Sequence, residues 1–306
     1  MGIYLSLIEN ATELGLICSL TVLALFLSYS MLNVCDLSTD GCFALGAAVG
    51  AVVALGGHPY LSIIVVMIAG LISGFVVSFL QTRMGIDSLL SGIIVNTGLY
   101  SINIAIMSGS SLLNMNKTDT VFTKLKAVLA DGPLAGKQAI IIALIAVAFI
   151  IIFLSFFLKT KLGLAIRATG NNPEMVKTSS VNPVFTTTVG LCIANSFTAL
   201  SGCLLAQSQK SVSIDIGSGM VTIALASLLI GSTIIQRGSI TKKAIGAVLG
   251  SIIFRIVYML ALRLNIPAYM LKLISSIIVI IAISLPYLKK KMPEYKRRIA
   301  HSKEIK

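Results

Sequence analysis

The sequence predicts an all-α fold, a polytopic transmembrane helical bundle, on the basis of its composition and its apolar pattern. Of the 306 residues, 56% are hydrophobic and 11% are charged, whereas about 25% charged residues are usual in soluble domains. Charge-free apolar stretches of about 20 residues recur, and a helix of that length crosses a ~30 Å hydrocarbon core. The ~10-residue alternating strands of a membrane β-barrel are not visible. This composition argues against a soluble enzyme, a disordered protein and a nucleic-acid-binding protein.

The apolar pattern divides the chain into about nine segments. Two apolar regions are too long for one span, and Gly and Pro residues near 56–59 and 265–267 divide them, because these residues interrupt helices. The predicted segments are 14–35, 42–55, 61–82, 88–108, 138–158, 184–208, 219–235, 244–262 and 268–286. We expect residues 1–290 to form one transmembrane domain and residues 291–306 to form a basic tail.

The distribution of Lys and Arg predicts the orientation in the cell membrane. One set of connections between segments holds 16 basic residues in 64 positions, and the opposite set holds 6 in 62. Cytoplasmic connections of membrane proteins carry the excess of basic residues. We therefore predict a cytoplasmic C-terminus and an N-terminus outside the cell. The prediction depends heavily on residues 287–306, which hold 8 of the basic residues and are suited to contact anionic lipid.

The stretch 36–41 is a polar interruption between the first two apolar segments. It contains two carboxylates, two hydroxyl groups and a glycine, which lipid cannot accommodate. One interpretation is a helix that breaks inside the bundle and lines a water-filled pathway, with Asp36, Ser38 and Asp40 on that pathway. The alternatives are that these side chains only cap the short helix that follows, or that they form an exposed turn.

Other polar residues lie inside apolar segments, where they are costly and usually face the bundle interior. Asn96, Asn195 and Gln207 are of this kind, and we add them to the candidate pathway residues. Arg255 lies inside the eighth segment and requires a partner. Three acids near the spans are candidates for that partner: Asp36, Asp40 and Asp87.

The connection 159–183 is the longest of those predicted to be cytoplasmic. Its first part has a helical pattern, with four residues on one face: Leu162, Ala165, Ile166 and Thr169. Gly170 is expected to end that helix in the left-handed conformation. Asn172 is then expected to cap a second short helix that has Pro173 at its first position and Glu174 in its first turn. Such a rigid element is suited to a partner's groove, although an ordinary interfacial loop is the alternative.

Several kinds of chemistry have no visible residues in this sequence. There is no G-x-x-x-x-G-K-[ST] phosphate loop, so the chain is not expected to hydrolyse ATP. There is also no H-E-x-x-H, no G-x-S-x-G and no C-x-x-C, and the five cysteines are interpreted as small packing residues. We expect no catalytic residues, no metal and no cofactor of the chain's own.

Five stretches together resemble a known family over roughly residues 14–290. The stretch 36–41, with Asp36-Leu-Ser followed by Gly41 and a small-residue helix, is similar to that family's broken second helix. Residues 160–173 (TKLGLAIRATGNNP) and the later 202–207 (GCLLAQ) resemble its cytoplasmic coupling segment and the following span. Ile230-Gly-Ser and the 246–250 region are similar to its late helices. The chain thus resembles ATP-binding-cassette importer permeases of the branched-chain amino acid and ribose type.

This resemblance implies a transport subunit that works with several partners. They are a pair of ATPase subunits in the cytoplasm, a substrate-binding protein outside, and a second permease, for which a homodimer is expected. ATP would be bound by the partner subunit. The coupling segment is expected to contact the ATPase through Leu164, Ala165, Arg167, Gly170, Asn172, Pro173 and Glu174.

The expected solute is an amino acid, aromatic or branched, although a sugar or a nucleoside stays open. The sugar subgroup usually has an extra N-terminal span, which we do not expect here, and generally keeps only the first of the two acids Asp36 and Asp40. An ATPase-independent carrier or channel is a competing interpretation, but such a protein would need buried carboxylates in several spans. A non-transporting scaffold would not need a broken helix or polar interior segments.

Overall fold

The computed structural model of the chain describes residues 2–128, 138–235 and 238–262, together with 270, 273, 276–281 and 284. Residues 276–281 are helical, but most of the predicted segment 268–286 lies outside the described residues. The basic tail 291–306 also lies outside them.

The described chain is almost entirely helical, apart from one pair of short strands. Helix α1 spans Gly2–Leu25 and continues as a π-helical turn, Phe26–Met31. The other helices are α2 (Thr39–Leu55), α3 (Pro59–Thr82), α4 (Ser88–Ile106), α5 (Val121–Val128), α6 (Gln138–Phe157), α7 (Lys161–Asn171), α8 (Pro173–Thr178), α9 (Pro183–Gln209), α10 (Met220–Ile234) and α11 (Ile240–Leu262). Strands β1 (Leu112–Asn114) and β2 (Ser211–Ser213) pair antiparallel, and a 3₁₀ turn, Ile214–Gly217, follows β2.

Seven of the described helical stretches are long and apolar enough to cross a membrane, and α2 is a shorter apolar helix. The all-α bundle and the first eight predicted segments are thereby confirmed. Two features of the chain differ from the prediction. The first helix begins at Gly2 rather than near 14, and Glu13 in this N-terminal extension accepts a hydrogen bond from the Ser208 hydroxyl. The connection 109–137 contains the unpredicted helix α5.

Local capping explains where several helices begin. Asp87 Oδ1 accepts the Leu89 N–H at the start of α4. Asn182 Oδ1 accepts the Val184 N–H at the start of α9, where Pro183 occupies the first helical position. Side chains of this kind satisfy donors that the first helical turn leaves without partners.

Helices α2 and α9 form the centre of the bundle and cross in backbone contact. A Cβ atom added to Gly46 would lie 1.9 Å from the Ala199 carbonyl oxygen, and one added to Gly202 would lie 2.0 Å from that of Phe43. Small residues permit this close approach, which supplies van der Waals contact between membrane helices. The crossing places the break before α2 directly against α9.

Arg255 does not pair with any of the three acids that the sequence suggested. Its Nη2 donates to Cys18 Sγ at 2.9 Å, and its guanidinium lies 6.0 Å from the centre of the Tyr258 ring. Arg255 therefore joins α11 to α1, which leaves the buried acids to other contacts.

Candidate functional site

The break between the first span and α2 is organised by Asp36. Asn33 adopts a left-handed backbone conformation with φ of 56°, and the chain is irregular until α2 begins at Thr39. The Ser38 N–H donates to Asp36 Oδ1 at 2.8 Å, and the Thr39 hydroxyl donates to the Asp36 carbonyl oxygen at 2.9 Å. Helix α2 thus begins three residues before the predicted segment 42–55, and Asp36 provides acceptors for its first residues. The Ser38 side chain makes no capping hydrogen bond.

Two of the predicted pathway residues meet inside the protein. Asn195 Nδ2 on α9 donates to Asp36 Oδ2 at 2.9 Å, and both residues are almost fully buried. Ser38 is also buried, and its hydroxyl oxygen has no hydrogen-bond partner within the described chain. The Asp36–Asn195 contact ties the break to the central helix α9, and it lies in the packed interior.

Asp40, the second acid of the break, reaches a different helix. Its Oδ2 accepts the Gly219 N–H at 2.9 Å, and its Oδ1 accepts the Val221 N–H at 2.8 Å. These amides belong to the start of α10, where a negative charge is favourable because of the helix dipole. Asp40 therefore caps α10 from the first turn of α2.

We expect Asp40→Ala to weaken the α2–α10 contact. The substitution leaves the Gly219 and Val221 amides without their acceptor, and loss of a helix cap costs about 1 kcal/mol. Hydrogen–deuterium exchange of the purified protein should speed up at the first turn of α10 and stay unchanged in α6. An unchanged exchange rate at Val221 would contradict this capping role.

A polar cavity of about 340 Å³ lies beside Asp40. It is bounded by the first turn of α2, the polar side of α4 and the turn that precedes α10, and it is open on one side. Its polar lining residues are Asp40, Asn96, Thr97, Tyr100, Asn103, Asp215 and Ser218. Of the six predicted pathway residues, Asp40 and Asn96 lie in this cavity.

The other polar residues of α4 that line this cavity were not predicted as pathway residues. Asn96, Tyr100 and Asn103 are spaced four and three residues apart, which places them on one side of a helix, and Thr97 adjoins them. The signal was available as a polar stripe within an otherwise apolar segment. Asp215 had no such signal, because its place in the cavity depends on the turn after β2.

Gln207 lies in a separate group of buried polar contacts. Its Nε2 donates to the Ser62 hydroxyl at 2.7 Å, and its Oε1 accepts the Val121 N–H at 3.0 Å. The residue is fully buried, and it connects α9 to α3 and to the start of α5. Both the nitrogen and the oxygen of its side-chain amide therefore form hydrogen bonds within the protein.

The connection 159–183 forms the two predicted helices, α7 and α8. Asn172 Oδ1 accepts the Glu174 and Met175 N–H groups at 3.1 Å each, and Pro173 is the first residue of α8. Glu174 lies in the first turn and pairs with Lys177 at 2.7 Å. These features confirm the predicted start of the second helix.

The predicted left-handed conformation of Gly170 at the end of the helix was wrong. Helix α7 continues through Gly170 to Asn171, and Gly170 is not among the described residues with a positive φ. A Cβ atom at this position would lie 2.1 Å from the Met31 carbonyl oxygen and 2.8 Å from Leu32 Cα. Glycine is needed for the close approach of α7 to the end of the first span.

Helix α7 is attached to the bundle on its buried face. Ile166 and Thr169 are buried, and the Thr169 hydroxyl lies 2.8 Å from the Thr186 hydroxyl on α9. Leu32, which contacts Gly170, also lies against Gly190 of α9. The segment is therefore packed against both the first span and α9, close to the break.

The opposite face of α7 and α8 is open. Leu164 is 52% exposed and Met175 is 60% exposed, while Ala165 and Arg167 are partly exposed. Exposed apolar side chains on a well-capped helical element are typical of an interaction surface. The described residues include no group of three or more His, Cys, Asp or Glu side chains that could hold a metal ion.

Comparison with known proteins adds to this geometry. A family model described as the permease component of branched-chain amino acid transport systems matches residues 7–283. The tyrosine transport system permease protein of Clostridioides difficile is 31% identical over 268 residues, 87% of this chain and 86% of that protein. The galactose/methyl galactoside import permease protein of Escherichia coli is 28% identical over 222 residues, 72% of this chain and 64% of that protein.

A nucleoside permease also matches. The guanosine ABC transporter permease protein of Bacillus subtilis is 28% identical over 187 residues, 56% of each chain. No solved structure matches the chain. The spanning helices and the family match over most of the length agree, and the chain belongs to the branched-chain amino acid transport system permease family of ATP-binding-cassette importers.

Proposed function

We propose that this chain forms the translocation pathway of an importer for a small polar solute, namely an aromatic or branched amino acid, and that it is not itself an enzyme. The polar cavity between α2, α4 and α10 is the observation that carries this proposal. The similarity to a tyrosine permease, which covers most of both chains, favours an amino acid. A sugar or nucleoside is the second candidate, favoured by the galactose and guanosine relatives.

The pathway is proposed to lie on an axis shared with a second copy of the permease. Thr97, Tyr100 and Ser101 of α4 are exposed in the single chain, although α4 is long and apolar enough to span the membrane. Polar groups in spans face a bundle interior or a water-filled cavity rather than lipid. A second copy facing α4 would enclose these side chains together with Asp40 and Asn96.

The energy for transport is proposed to come from ATPase subunits that bind α7 and α8 from the cytoplasm. A partner can shift a conformational equilibrium only through its different affinity for the two states. The element that the ATPase binds must therefore move with the spans. The contacts of α7 with Leu32 and Thr186 attach it to the first span and to α9. Leu164 and Met175 are proposed to supply the apolar contact, while Arg167 and Glu174 set the register.

A substrate-binding protein is proposed to deliver the solute from outside. This arrangement allows the permease site to be weak, because the binding protein supplies the affinity. The test is uptake by proteoliposomes that contain the permease, its ATPase subunits and the binding protein, with a panel of amino acids, sugars and nucleosides. ATP-dependent uptake of tyrosine or a branched-chain amino acid is expected. Uptake of a sugar or nucleoside alone would select the second candidate, and uptake without ATP would indicate a carrier.

The orientation is predicted separately from the solute. Cysteines introduced at positions 3 and 292 should react differently with an impermeant thiol reagent applied to intact cells. Position 3 is expected to be labelled and position 292 to be protected, because the basic residues favour a cytoplasmic C-terminus. Labelling of position 292 in intact cells would overturn this orientation.

A further inference from the structure

We infer that the polar cavity binds the protonated amino group of the solute, through the Asp215 carboxylate and the amide oxygen of Asn103. This inference rests on the proposed function, because it assigns one end of the solute to a particular part of the pathway. It concerns the chemistry of the permease's own site, as distinct from that of the binding protein.

The first observation is an acceptor without a partner. Asn103 is 1% exposed, and its Nδ2 donates to the Gly41 carbonyl oxygen at 3.2 Å. A carbonyl oxygen can only accept a hydrogen bond, so the amide nitrogen must face Gly41 and the orientation of the amide is determined by its surroundings. The Asn103 Oδ1 atom then has no hydrogen-bond partner within the described chain, although it is buried beside the cavity. A buried acceptor of this kind calls for a donor from the cavity.

The second observation is the charge of the lining. Two carboxylates, Asp40 and Asp215, line the cavity, and its eleven described lining residues include no Lys or Arg. Asp40 accepts one backbone N–H at each oxygen, which leaves further acceptor capacity on a group with about four lone-pair sites. Asp215 is exposed at the cavity's edge. The lining therefore attracts a cation.

The third observation concerns the other end of an amino acid. The N-terminus of a helix is a ready site for a carboxylate, and α10 begins at this cavity. Its first amides, however, already donate to Asp40. A solute carboxylate consequently finds no cationic side chain and no free helix start here. The cavity is complementary to the ammonium end, which forms charge-assisted hydrogen bonds with Asp215 and Asn103.

The test compares two probes that share a phenol ring and an ethyl chain. Tyramine carries the ammonium group, and 3-(4-hydroxyphenyl)propionate carries a carboxylate. Binding of each is measured by saturation-transfer NMR on the assembled transporter in nanodiscs without nucleotide or binding protein. Tyramine is expected to bind about tenfold more tightly, as a charge-assisted hydrogen bond would give.

Two variants separate the site from the general charge of the surface. Asp215→Asn is expected to remove most of the tyramine preference. Asp119→Asn, a matched change of an exposed acid outside the cavity, is expected to retain it. Equal binding of both probes, or an unchanged preference in Asp215→Asn, would overturn the inference. Displacement of tyramine by sodium but not by equal potassium would assign the site to an inorganic cation and also overturn it.

The outcome is separable from that of the proposed function. A sugar or nucleoside importer would retain ATP-driven uptake in the proteoliposome assay but show no amine preference in the NMR experiment. A chain that is not an importer subunit would show no ATP-driven uptake, whatever its binding preference.

Discussion

Replacement of Gly170 by valine is expected to abolish solute uptake while the chain stays inserted in the membrane. A side chain at this position collides with the backbone of Met31 and Leu32, so α7 must separate from the end of the first span. Backbone atoms cannot move aside as a flexible side chain could. ATP-dependent uptake by proteoliposomes should therefore fall to the background level, while the amount of permease in the membrane fraction is unchanged.

Asn171→Val is the matched control for this variant. It adds a similar β-branched side chain to the same helix, but Asn171 is exposed. Its uptake should remain close to that of the unmodified protein. Ala165→Glu, which places a charge on the partly exposed face of α7, should also abolish uptake by disturbing the ATPase contact. Near-normal transport by Gly170→Val would contradict the coupling assignment, and the connection 236–243 would become the next cytoplasmic candidate.

Replacement of Asp36 by alanine is expected to produce the largest loss of stability among the polar substitutions. The change leaves the Asn195 amide and the Ser38 N–H buried without their acceptor. Each unsatisfied buried donor costs about 1–3 kcal/mol, so a combined loss near 3 kcal/mol is expected. The measurement is the denaturation midpoint of the purified permease in mild detergent, followed by circular dichroism as SDS is added.

Asp87→Ala provides the comparison for Asp36. Asp87 also accepts a backbone N–H at a helix start, but that hydrogen bond is exposed, so its loss should cost only about 1 kcal/mol. The double variant Asp36→Ala with Asn195→Ala should be less destabilised than the sum of the single variants, because the two side chains share one contact. A stability of Asp36→Ala equal to that of Asp87→Ala would show that the Asp36 contact is not important for folding.

The apolar pattern was sufficient to predict the spanning helices, because the bilayer requires long apolar stretches whatever their neighbours are. Boundaries were less predictable where a tertiary contact replaces water. The first helix extends back to Gly2 although Glu9 and Glu13 interrupt its apolar run. The hydrogen bond from Ser208 to Glu13 comes from a residue far away in sequence, which no local pattern contains.

The roles of individual polar residues were only partly predictable. Composition indicated that Asp36 and Asp40 are unusual, but it could not show that one binds α9 and the other caps α10. Gly170 illustrates the same limit, since a glycine near a helix end and a glycine at a helix crossing are identical in sequence. Asn172 was predictable because its cap is completed by Glu174 and Met175, its nearest neighbours.

The most direct test of the account is the accessibility of the polar face of α4 during the transport cycle. Thr97→Cys is made in a chain whose five native cysteines are replaced, and the transporter is assembled with its ATPase subunits and binding protein. An impermeant thiol reagent is applied from outside in the nucleotide-free and ATP-bound states. A pathway at this cavity predicts that the labelling rate changes about tenfold between the two states, because its exposure to either side is set by the conformational equilibrium.

Phe149→Cys on the exposed apolar side of α6 should react slowly in both states. Equal rates for Thr97→Cys in the two states, at the level of Phe149→Cys, would contradict the placement of the pathway at this cavity.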